Sequence, residues 1–522
     1  MLNIHRLIHR SPDIAWNKIT TYLLSVIQFP PAPQPIRVQA ARVLNEILLS
    51  VPRNMSLMTG ELQVQVQNRV LGVLAQQVVP DFAPPTSNLS TEVELRRMGL
   101  ETLHRILQNS VYSLVTGWEI IFHMLESVCR LTPPLHPQST DSISSSVALS
   151  TETTSEAFVL GMPRGGNYTT LVKIAFQSMT LVCDSISTLS PDHLRLCVGA
   201  LGQFGRQADT NIALTAATSL LWSVSDAIQA KRKDAELEPQ YSELWMFLLF
   251  ELLNLGSNSR PEVRDGAIQT LFRTIQLYGS TLSLETWDEC IWKVSFPLLE
   301  SFTEDNRRRM TELENIEGGD RSASEQAWDN SKILALNSLG SIFQDFLGSA
   351  IVKLDSFVEA WDTFVGHVED VLLHDNRVVS APALRLLEKG IKAVMANGDM
   401  PGKDKVEEML RRTWEAIIVV GDIILKNATG SQDAEAGLAT STSTVVMVGA
   451  RRKAFTQESL VAFVDMIQST RTASRKLAGS EWELEKLTRL AVIVKGSCTC
   501  FESGCHVDFK TRCIDVLRLS GL

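Results

Sequence analysis

The chain lacks the long apolar run that a membrane-spanning helix needs. Its longest apolar stretch, Leu244 to Leu255, is interrupted by Glu251 and is shorter than the about 20 residues that cross a bilayer. The first ten residues contain two histidines and two arginines, where a secretory signal would have an uninterrupted apolar core. We therefore expect a soluble chain in the cytoplasm.

A positive charge balance is also missing, because the net charge is −10 at pH 7. Nucleic-acid binding and docking to anionic lipid both draw on an excess of Lys and Arg, so neither is expected from bulk charge. Three short basic clusters occur at 231–233, 307–309 and 451–453. We interpret them as solvated charge in loops or at helix ends.

Catalytic signatures are absent as well. The sequence contains neither a His-Glu-x-x-His zinc site nor a Gly-x-Ser-x-Gly nucleophile elbow. The run Gly199 to Gly205 resembles a glycine-rich phosphate loop, but it lacks the lysine of a P-loop and no strand precedes it. Small residues for close helix packing explain it better. We predict no enzymatic activity and no cofactor.

Cysteine is sparse, with eight residues in 522. Four of them fall on apolar helical faces and are predicted to be buried free thiols: Cys129, Cys183, Cys197 and Cys290. The best candidate for a zinc site is a C-terminal cluster that comprises Cys498, Cys500, Cys505, His506 and Cys513. The spacing is not that of a recognised zinc finger, so ordinary cysteines at a helix end are the favoured interpretation and zinc is the alternative.

What the sequence does contain is a recurring helical pattern, clearest at Arg260 to Phe272. Pro261 suits the first turn of a helix, and Val263, Ala267 and Leu271 then share one face. Weaker variants of this pattern lie at Pro35 to Leu44, Asn211 to Trp222, Ser331 to Phe343 and Asn376 to Leu387. The recurrence predicts an all-α solenoid of HEAT or armadillo type, with roughly eight to ten helix pairs.

One segment shows the packing face especially well. It places Ala213, Ala216, Ala217, Leu220, Leu221 and Val224 at helical spacing. The alanines would allow a neighbouring helix to approach closely. Seven tryptophans also recur at helical positions and are predicted to close seams between repeats, with one or two as possible interface anchors: Trp222, Trp245, Trp287, Trp292, Trp328, Trp361 and Trp414.

Composition divides the chain into seven regions. Two segments rich in small and polar residues cannot bury enough apolar surface to offset chain entropy, and we predict them to be disordered inserts. The predicted regions are N-terminal helical repeats (1–130), a Ser/Thr/Pro-rich insert (131–167), central repeats (168–302), a charged loop (303–327), further repeats (328–426), a low-complexity insert (427–454) and C-terminal capping helices (455–522).

Several long motifs carry a family resemblance. They are Asp209 to Ala216, Leu220 to Asp226, Ser259 to Phe272, Trp287 to Trp292, Phe296 to Leu299 and Trp328 to Leu334. Together they resemble the C-terminal region of the Mon-two (monensin-sensitivity) family. The resemblance covers most of the chain from Tyr168 onward and is weaker before it and through the inserts.

The resemblance implies a function. That family is similar to the large Arf guanine-nucleotide exchange factors but lacks their exchange domain, and its members act as peripheral scaffolds of the trans-Golgi network and endosomes. It implies a non-enzymatic adaptor in endosome-to-Golgi and vacuolar or lysosomal transport. The implied partners are a Dopey-family protein, an Arf-like small GTPase and a phospholipid flippase, with membrane association through partners.

Two other functions stay open from the residues alone. A karyopherin-like nuclear transport adaptor would use similar helix pairs and an acidic balance. A zinc-binding protein would use the cluster from Cys498 to Cys513. The partner-binding surface is not identifiable from sequence.

Overall fold

A computed structural model describes most of the chain. The described residues are 12–53, 60–79, 89–129, 166–232, 238–303, 321–374, 377–396, 402–433, 455–478 and 484–499. Every regular element within these ranges is helical, as predicted. Most of both predicted inserts lies outside the described residues, as do residues 304–320 of the predicted charged loop.

The chain divides into two compact units, Met1–Glu251 and Leu252–Leu522. The first unit contains α1 (Pro12–Ile27), α2 (Gln34–Arg53), α3 (Glu61–Val78), α4 (Leu89–Ser110), α5 (Trp118–Cys129), α6 (Gly166–Asp184), α7 (Pro191–Gly205) and α8, which comprises Thr210–Thr215, a π-helical turn at Ala216–Leu220 and Leu221–Lys231. Helix α9 (Glu238–Leu255) follows and crosses the boundary between the units.

The second unit is built in the same way. It contains α10 (Pro261–Tyr278), α11 (Leu284–Glu289, with a π-helical turn at Cys290–Ser295 and helical residues up to 303), α12 (Arg321–Ile342, with a π-helical turn at Phe343–Leu347), α13 (Phe357–His374), α14 (Arg377–Ala396), α15 (Lys403–Asp433), α16 (Gln457–Ala478) and α17 (Leu484–Thr499).

The helix starts follow from local chemistry. Pro191 and Pro261 occupy the first turns of α7 and α10, where the N–H that proline lacks has no intrahelical partner. Ser190 caps α7 by accepting a hydrogen bond from the backbone N–H of His193, and Asp209 caps α8 in the same manner. These short-range signals explain why the helix starts could be predicted.

Alternate helices stack into two layers within each unit. In the first unit α2, α4 and α6 form one layer, while α1, α3, α5 and α7 form the other. In the second unit α10, α12, α14 and α16 form one layer, and α13, α15 and α17 stack in the other. Because successive helices alternate between layers, the repeat is a helix hairpin, as in HEAT-like arrays.

The predicted apolar faces are buried. Val263, Ala267 and Leu271 have no exposed surface, and the same holds for Ala213, Ala216, Ala217, Leu221 and Val224. Leu220 is half-buried. It closes the π-helical turn of α8, a feature that the sequence pattern did not predict.

A fully buried arginine stands at the start of α10. Arg264 Nε donates to Ser331 Oγ at 2.8 Å, Nη1 donates to the carbonyl of Asn258 at 2.9 Å, and Nη2 donates to the carbonyl of Ala327 at 3.2 Å. Its guanidinium lies 3.8 Å from the ring centroid of Trp328. Arg264 therefore joins the end of the preceding turn to α12, the next helix of its layer.

Two other arginines repeat this arrangement. Arg37, near the start of α2, donates to the carbonyl of Ile27 at 2.7 Å and to Glu92 of α4 at 2.6 Å. Arg377, at the start of α14, donates to the carbonyl of Leu372, and its guanidinium lies 4.1 Å from the ring centroid of Phe455. Each arginine satisfies carbonyls that a helix end leaves unpaired, and each contacts the next repeat.

Candidate functional site

The described residues offer little for metal or nucleophilic chemistry. No group of three or more His, Cys, Asp or Glu side chains among them is placed to hold a metal ion. Cys498 lies in the last turn of α17, whereas Cys500, Cys505, His506 and Cys513 lie outside the described residues. The zinc alternative therefore stays a hypothesis about residues that the structure does not describe.

The four predicted free thiols are buried, as expected. A hydrogen bond with Cys183, together with burial, raises the pKa of the Cys197 thiol. A thiol with a raised pKa is a weak nucleophile, because the thiolate is the reactive form. Cys183 and Cys197 therefore pack α6 against α7, and their chemistry is that of small apolar side chains.

A surface groove of about 540 Å³ lies between α14 and α16, in one layer of the second unit. Its volume falls within the range of about 300–1,000 Å³ that is typical of ligand sites. Seven of its eleven lining residues are polar or charged, whereas small-molecule sites are predominantly apolar. The lining therefore suits a hydrated polar ligand, such as a segment of another protein.

Helix α14 forms one wall of the groove. Glu388 accepts a hydrogen bond from Lys392 Nζ at 2.5 Å, one helical turn further on, and one from Ser469 Oγ of α16 at 3.4 Å. The Glu388 side chain is only 14% exposed, whereas that of Lys392 is 64% exposed. Ile391 is buried below them and Met395 is half-buried. This wall places a covered carboxylate beside an accessible ammonium group.

Helix α16 forms the opposite wall. Its groove residues recur at helical spacing, as Asp465, Gln468, Thr472 and Lys476. Gln468, Thr472 and Lys476 are exposed, and Ala473 is buried in the floor. An amide, a hydroxyl and charges of both signs thus line one side, and these are groups that hydrogen-bond a peptide backbone.

Contacts between α14 and α16 define the shape of the groove. The contact between Glu388 and Ser469 sets the register of α14 against α16. The guanidinium of Arg377 lies over Phe455, two residues before α16 begins, at the start of the same helix pair. A preformed groove binds its ligand with a smaller loss of conformational entropy than a flexible one.

Comparison with known proteins finds similarity to one family. Residues 234–440 match the family described as the C-terminal region of Mon2 protein. The chain is also 26% identical over 468 residues to the MON2 homolog of Xenopus laevis, a match that covers 82% of this chain and 24% of that protein.

The chain is similar to Mon2-family proteins over most of its length.

The MON2 homolog of Homo sapiens is 26% identical over 430 residues, which cover 76% of this chain and 22% of that protein. A shorter match links the chain to the ARF guanine-nucleotide exchange factor GNOM of Arabidopsis thaliana, with 24% identity over 198 residues, 36% of this chain and 13% of that protein. The chain thus spans about a quarter of the length of the first two relatives. Helix α14 lies within the matched region 234–440, whereas α16 lies beyond it.

Solved structures with a similar arrangement include importin beta. That match has 11% sequence identity and a TM-score of 0.31, and it covers 98% of this chain and 53% of importin beta. A likeness at this level carries no argument about the function of this chain. Within the described residues, no helix is both long and apolar enough to cross a membrane.

The first of the three basic clusters, at 231–233, is not simply solvated charge as the sequence suggested. Arg232 is buried at the end of α8, and Lys231 Nζ donates to the carbonyl of Leu189. Partial burial lowers the pKa of Lys231. The prediction was wrong for these two residues because the end of α8 folds back on the turn before α7. The clusters at 307–309 and 451–453 lie outside the described residues.

The run Gly199 to Gly205 packs helices, as predicted. A Cβ added at Gly202 would lie 2.2 Å from Glu251 Oε2, so a larger residue at this position would displace the carboxylate. Glu251 of α9 in turn pairs with Arg206 at 2.8 Å. Gly202 therefore leaves room for the ion pair that joins α7 to α9.

The seven tryptophans that recur at helical positions are all at least half-buried. Trp245, Trp287 and Trp361 are buried, whereas Trp222, Trp292, Trp328 and Trp414 are half-buried. Trp361 Nε1 donates to Thr413 Oγ1 at 3.2 Å and so links α13 to α15. All seven have part or all of their surface covered, so the possible tryptophan anchors are not fully exposed.

Proposed function

We propose that this chain is a non-enzymatic scaffold in protein transport between endosomes, the Golgi and the vacuole or lysosome. Similarity to the Mon2 family carries the proposal, through the match of residues 234–440 to the C-terminal region of Mon2 protein. Stacked helix hairpins present long surfaces that suit an adaptor. The chain would act on the cytoplasmic face of trans-Golgi and endosomal membranes, in vesicle-mediated transport and endocytosis.

The partners that we propose are a Dopey-family protein, an Arf-like small GTPase and a phospholipid flippase. The similarity to an ARF guanine-nucleotide exchange factor supports the GTPase. The groove between α14 and α16 supports binding to protein segments, because it offers amide, hydroxyl and charged groups on a preformed surface. Membrane association would then be peripheral and would depend on these partners.

The test is localisation and capture of the full chain. The tagged 522-residue chain is expressed in cells that lack their own Mon2-family protein, and its position is compared with trans-Golgi, endosomal and nuclear-envelope markers. Chemical cross-linking followed by mass spectrometry identifies its neighbours. We expect trans-Golgi staining and cross-links to a Dopey-family protein. Diffuse staining without these cross-links would remove the proposal, and nuclear-envelope staining would favour a transport adaptor of another class.

A further inference from the structure

Three large apolar side chains are exposed to solvent around the turn between α1 and α2. Tyr22 of α1 is 68% exposed, Phe29 in the turn is 55% exposed, and Ile36 in the first turn of α2 is 54% exposed. We call these three residues the apolar tip. Because each of them is more than half exposed, the stacking of the first helices leaves the apolar tip uncovered.

The turn that carries the apolar tip has a fixed shape. The backbone N–H of Ala32 donates to the carbonyl of Phe29 at 3.0 Å, and that of Ile36 donates to the carbonyl of Pro33 at 3.0 Å. Four prolines between positions 30 and 35 also fix the backbone angle φ. A contact made through this turn therefore needs little further ordering of the backbone.

Exposed aromatic residues are not a general property of this layer of helices. Helix α3, the neighbour of α1 in its layer, has Gln65, Arg69 and Gln76 at exposed positions. On α1 the exposed positions with the same spacing hold Lys18, followed by the two aromatic residues of the apolar tip. A group of exposed large apolar side chains, in contrast to a single one, marks a surface that contacts another molecule.

The sequence around the apolar tip contains bases and no acid. Residues 14–45, which include the tip, carry the exposed Lys18 and Arg42 but neither Asp nor Glu. Residues 62–79 of the neighbouring α3 carry Arg69 and no acid either. The whole chain has a net charge of −10, so this surface is a local departure from its acidic composition.

The nearest acids leave the positive charge largely in place. Glu92 of α4 is paired with the buried Arg37 at 2.6 Å. Asp13 and Glu46 lie nine positions before and ten positions after the apolar tip on α1 and α2, which is about 13–15 Å at a rise of 1.5 Å per residue. Charges at that distance are screened, because the Debye length at physiological ionic strength is about 8 Å.

We infer that the apolar tip binds directly to an anionic lipid surface, with its three side chains in the headgroup region and Lys18 and Arg42 on the anionic headgroups. Aromatic residues favour the boundary between membrane and water, and long basic side chains reach headgroups from beside them. A fluid surface accepts projecting side chains, whereas a protein partner would need a pocket shaped to them. The inference goes beyond the proposed function, in which protein partners bring the chain to the membrane.

Vesicle cosedimentation of the full chain tests the inference. One set of vesicles contains phosphatidylcholine alone, and a second also contains phosphatidylserine as about 30% of its lipid, to imitate an anionic cytoplasmic leaflet. We expect binding to the second set to be at least about tenfold tighter, because each of two bases near an anionic surface contributes roughly fivefold. Added salt should weaken this binding.

A serine variant tests the aromatic residues. Tyr22→Ser with Phe29→Ser should weaken binding to the phosphatidylserine vesicles at least about tenfold, because burial of one large apolar side chain contributes about that factor. The matched control is Tyr112→Ser with Val115→Ser. These two residues are 74% and 63% exposed in the loop between α4 and α5, and the control should bind as the wild type does. Both double variants change exposed side chains, so both should keep the wild-type melting temperature.

A charge variant tests the bases separately. Lys18→Glu with Arg42→Glu keeps the apolar tip but reverses the charge beside it. We expect this variant to lose the preference for phosphatidylserine and to keep the weaker binding to phosphatidylcholine alone. A preference that survives the charge reversal would overturn the inference, because the anionic lipid would then be bound elsewhere on the chain.

Other results would also overturn the inference. One is a wild-type chain that does not sediment with the phosphatidylserine vesicles, and another is an equal loss of binding in both serine variants. Sedimentation equilibrium examines a second copy as the occupant. A dimer that Tyr22→Ser with Phe29→Ser converts to a monomer, with vesicle binding unchanged, would assign the apolar tip to self-association and would end the lipid assignment.

Localisation in cells separates this inference from the proposed function. If the wild-type chain reaches the trans-Golgi network but does not bind the vesicles, the lipid contact fails while the scaffold function stands. If it binds the phosphatidylserine vesicles through the apolar tip but reaches neither the Golgi nor a Dopey-family protein, the proposed function fails and the lipid contact stands.

Discussion

Replacing Arg264 with methionine is the sharpest test of how the repeats are joined. Methionine has a similar length and would fill the same space, but it cannot donate a hydrogen bond. The variant leaves the carbonyls of Asn258 and Ala327 without their donor and deprives Asp265 of the nearby cation, since Asp265 and Arg264 share Ser331 as a partner. All these groups lie at the junction between two repeats.

The size of the effect follows from burial. Arg264 has no exposed surface, so solvent cannot replace the lost partners. Removing one member of a buried charged network typically costs about 3–5 kcal/mol. A loss of 1 kcal/mol lowers the melting temperature by roughly 2–4 °C in a unit of about 150–250 residues. We therefore expect the melting temperature of the second unit to fall by about 10 °C.

Differential scanning calorimetry of the full chain measures this shift. Arg264→Lys is the informative companion, because it keeps the charge but loses the planar fork that reaches several acceptors at once, and it should fall between the wild type and the methionine variant. Arg273→Met, at an exposed position of α10, controls for the loss of a positive charge. A change below about 0.5 kcal/mol in Arg264→Met would refute the view that this arginine joins repeats.

Three further predictions concern other sites. Ala217→Asp places a charge where no surface is exposed, so it should destabilise the first unit by several kcal/mol in thermal unfolding, and an unchanged melting temperature would mean that the face is misassigned. Thr413→Val leaves Trp361 Nε1 without its acceptor and should cost about 1–3 kcal/mol by calorimetry, whereas Thr413→Ser should cost less. Burial lowers the pKa of His367 despite the nearby carboxylate of Glu300. The unfolded chain therefore binds this proton more readily, and the stability from neutral His367 is present above about pH 6.5 and is lost as the pH falls through the lowered pKa. The difference in melting temperature between the wild type and His367→Gln, measured from pH 8 to pH 5, should follow that change, and a difference independent of pH would contradict it.

The helical faces could be predicted because they depend on neighbours in sequence. Pro261 and the spacing of Val263, Ala267 and Leu271 are local signals, and burial confirms the face that they indicate. Arg264 lies between them and is equally buried, yet arginine is ordinarily a surface residue. Its burial depends on acceptors at Ala327 and Ser331, more than 60 residues away. The sequence did carry one signal for these buried arginines, because an arginine recurs in the first turn of each of α2, α10 and α14.

The groove could not be predicted for a related reason. Asp465, Gln468, Thr472 and Lys476 recur at helical spacing, which in isolation indicates an ordinary solvated face. Their role depends on the register between α14 and α16, which the Glu388–Ser469 contact shows across 81 positions of the chain. The two walls belong to different repeats, so a local pattern carries no information about the groove that they form together.

The dimensions of the groove also limit what it can do alone. A stable protein–protein interface buries about 800 Å² on each partner, which requires roughly 20–30 residues a side. The eleven residues that line the groove are fewer than that number, so a partner held here alone would dissociate readily. Such a contact becomes effective when the same partner also touches other repeats, because the second contact then forms at a high effective concentration. We therefore expect a groove variant such as Thr472→Arg to speed the dissociation of a protein partner without abolishing its binding.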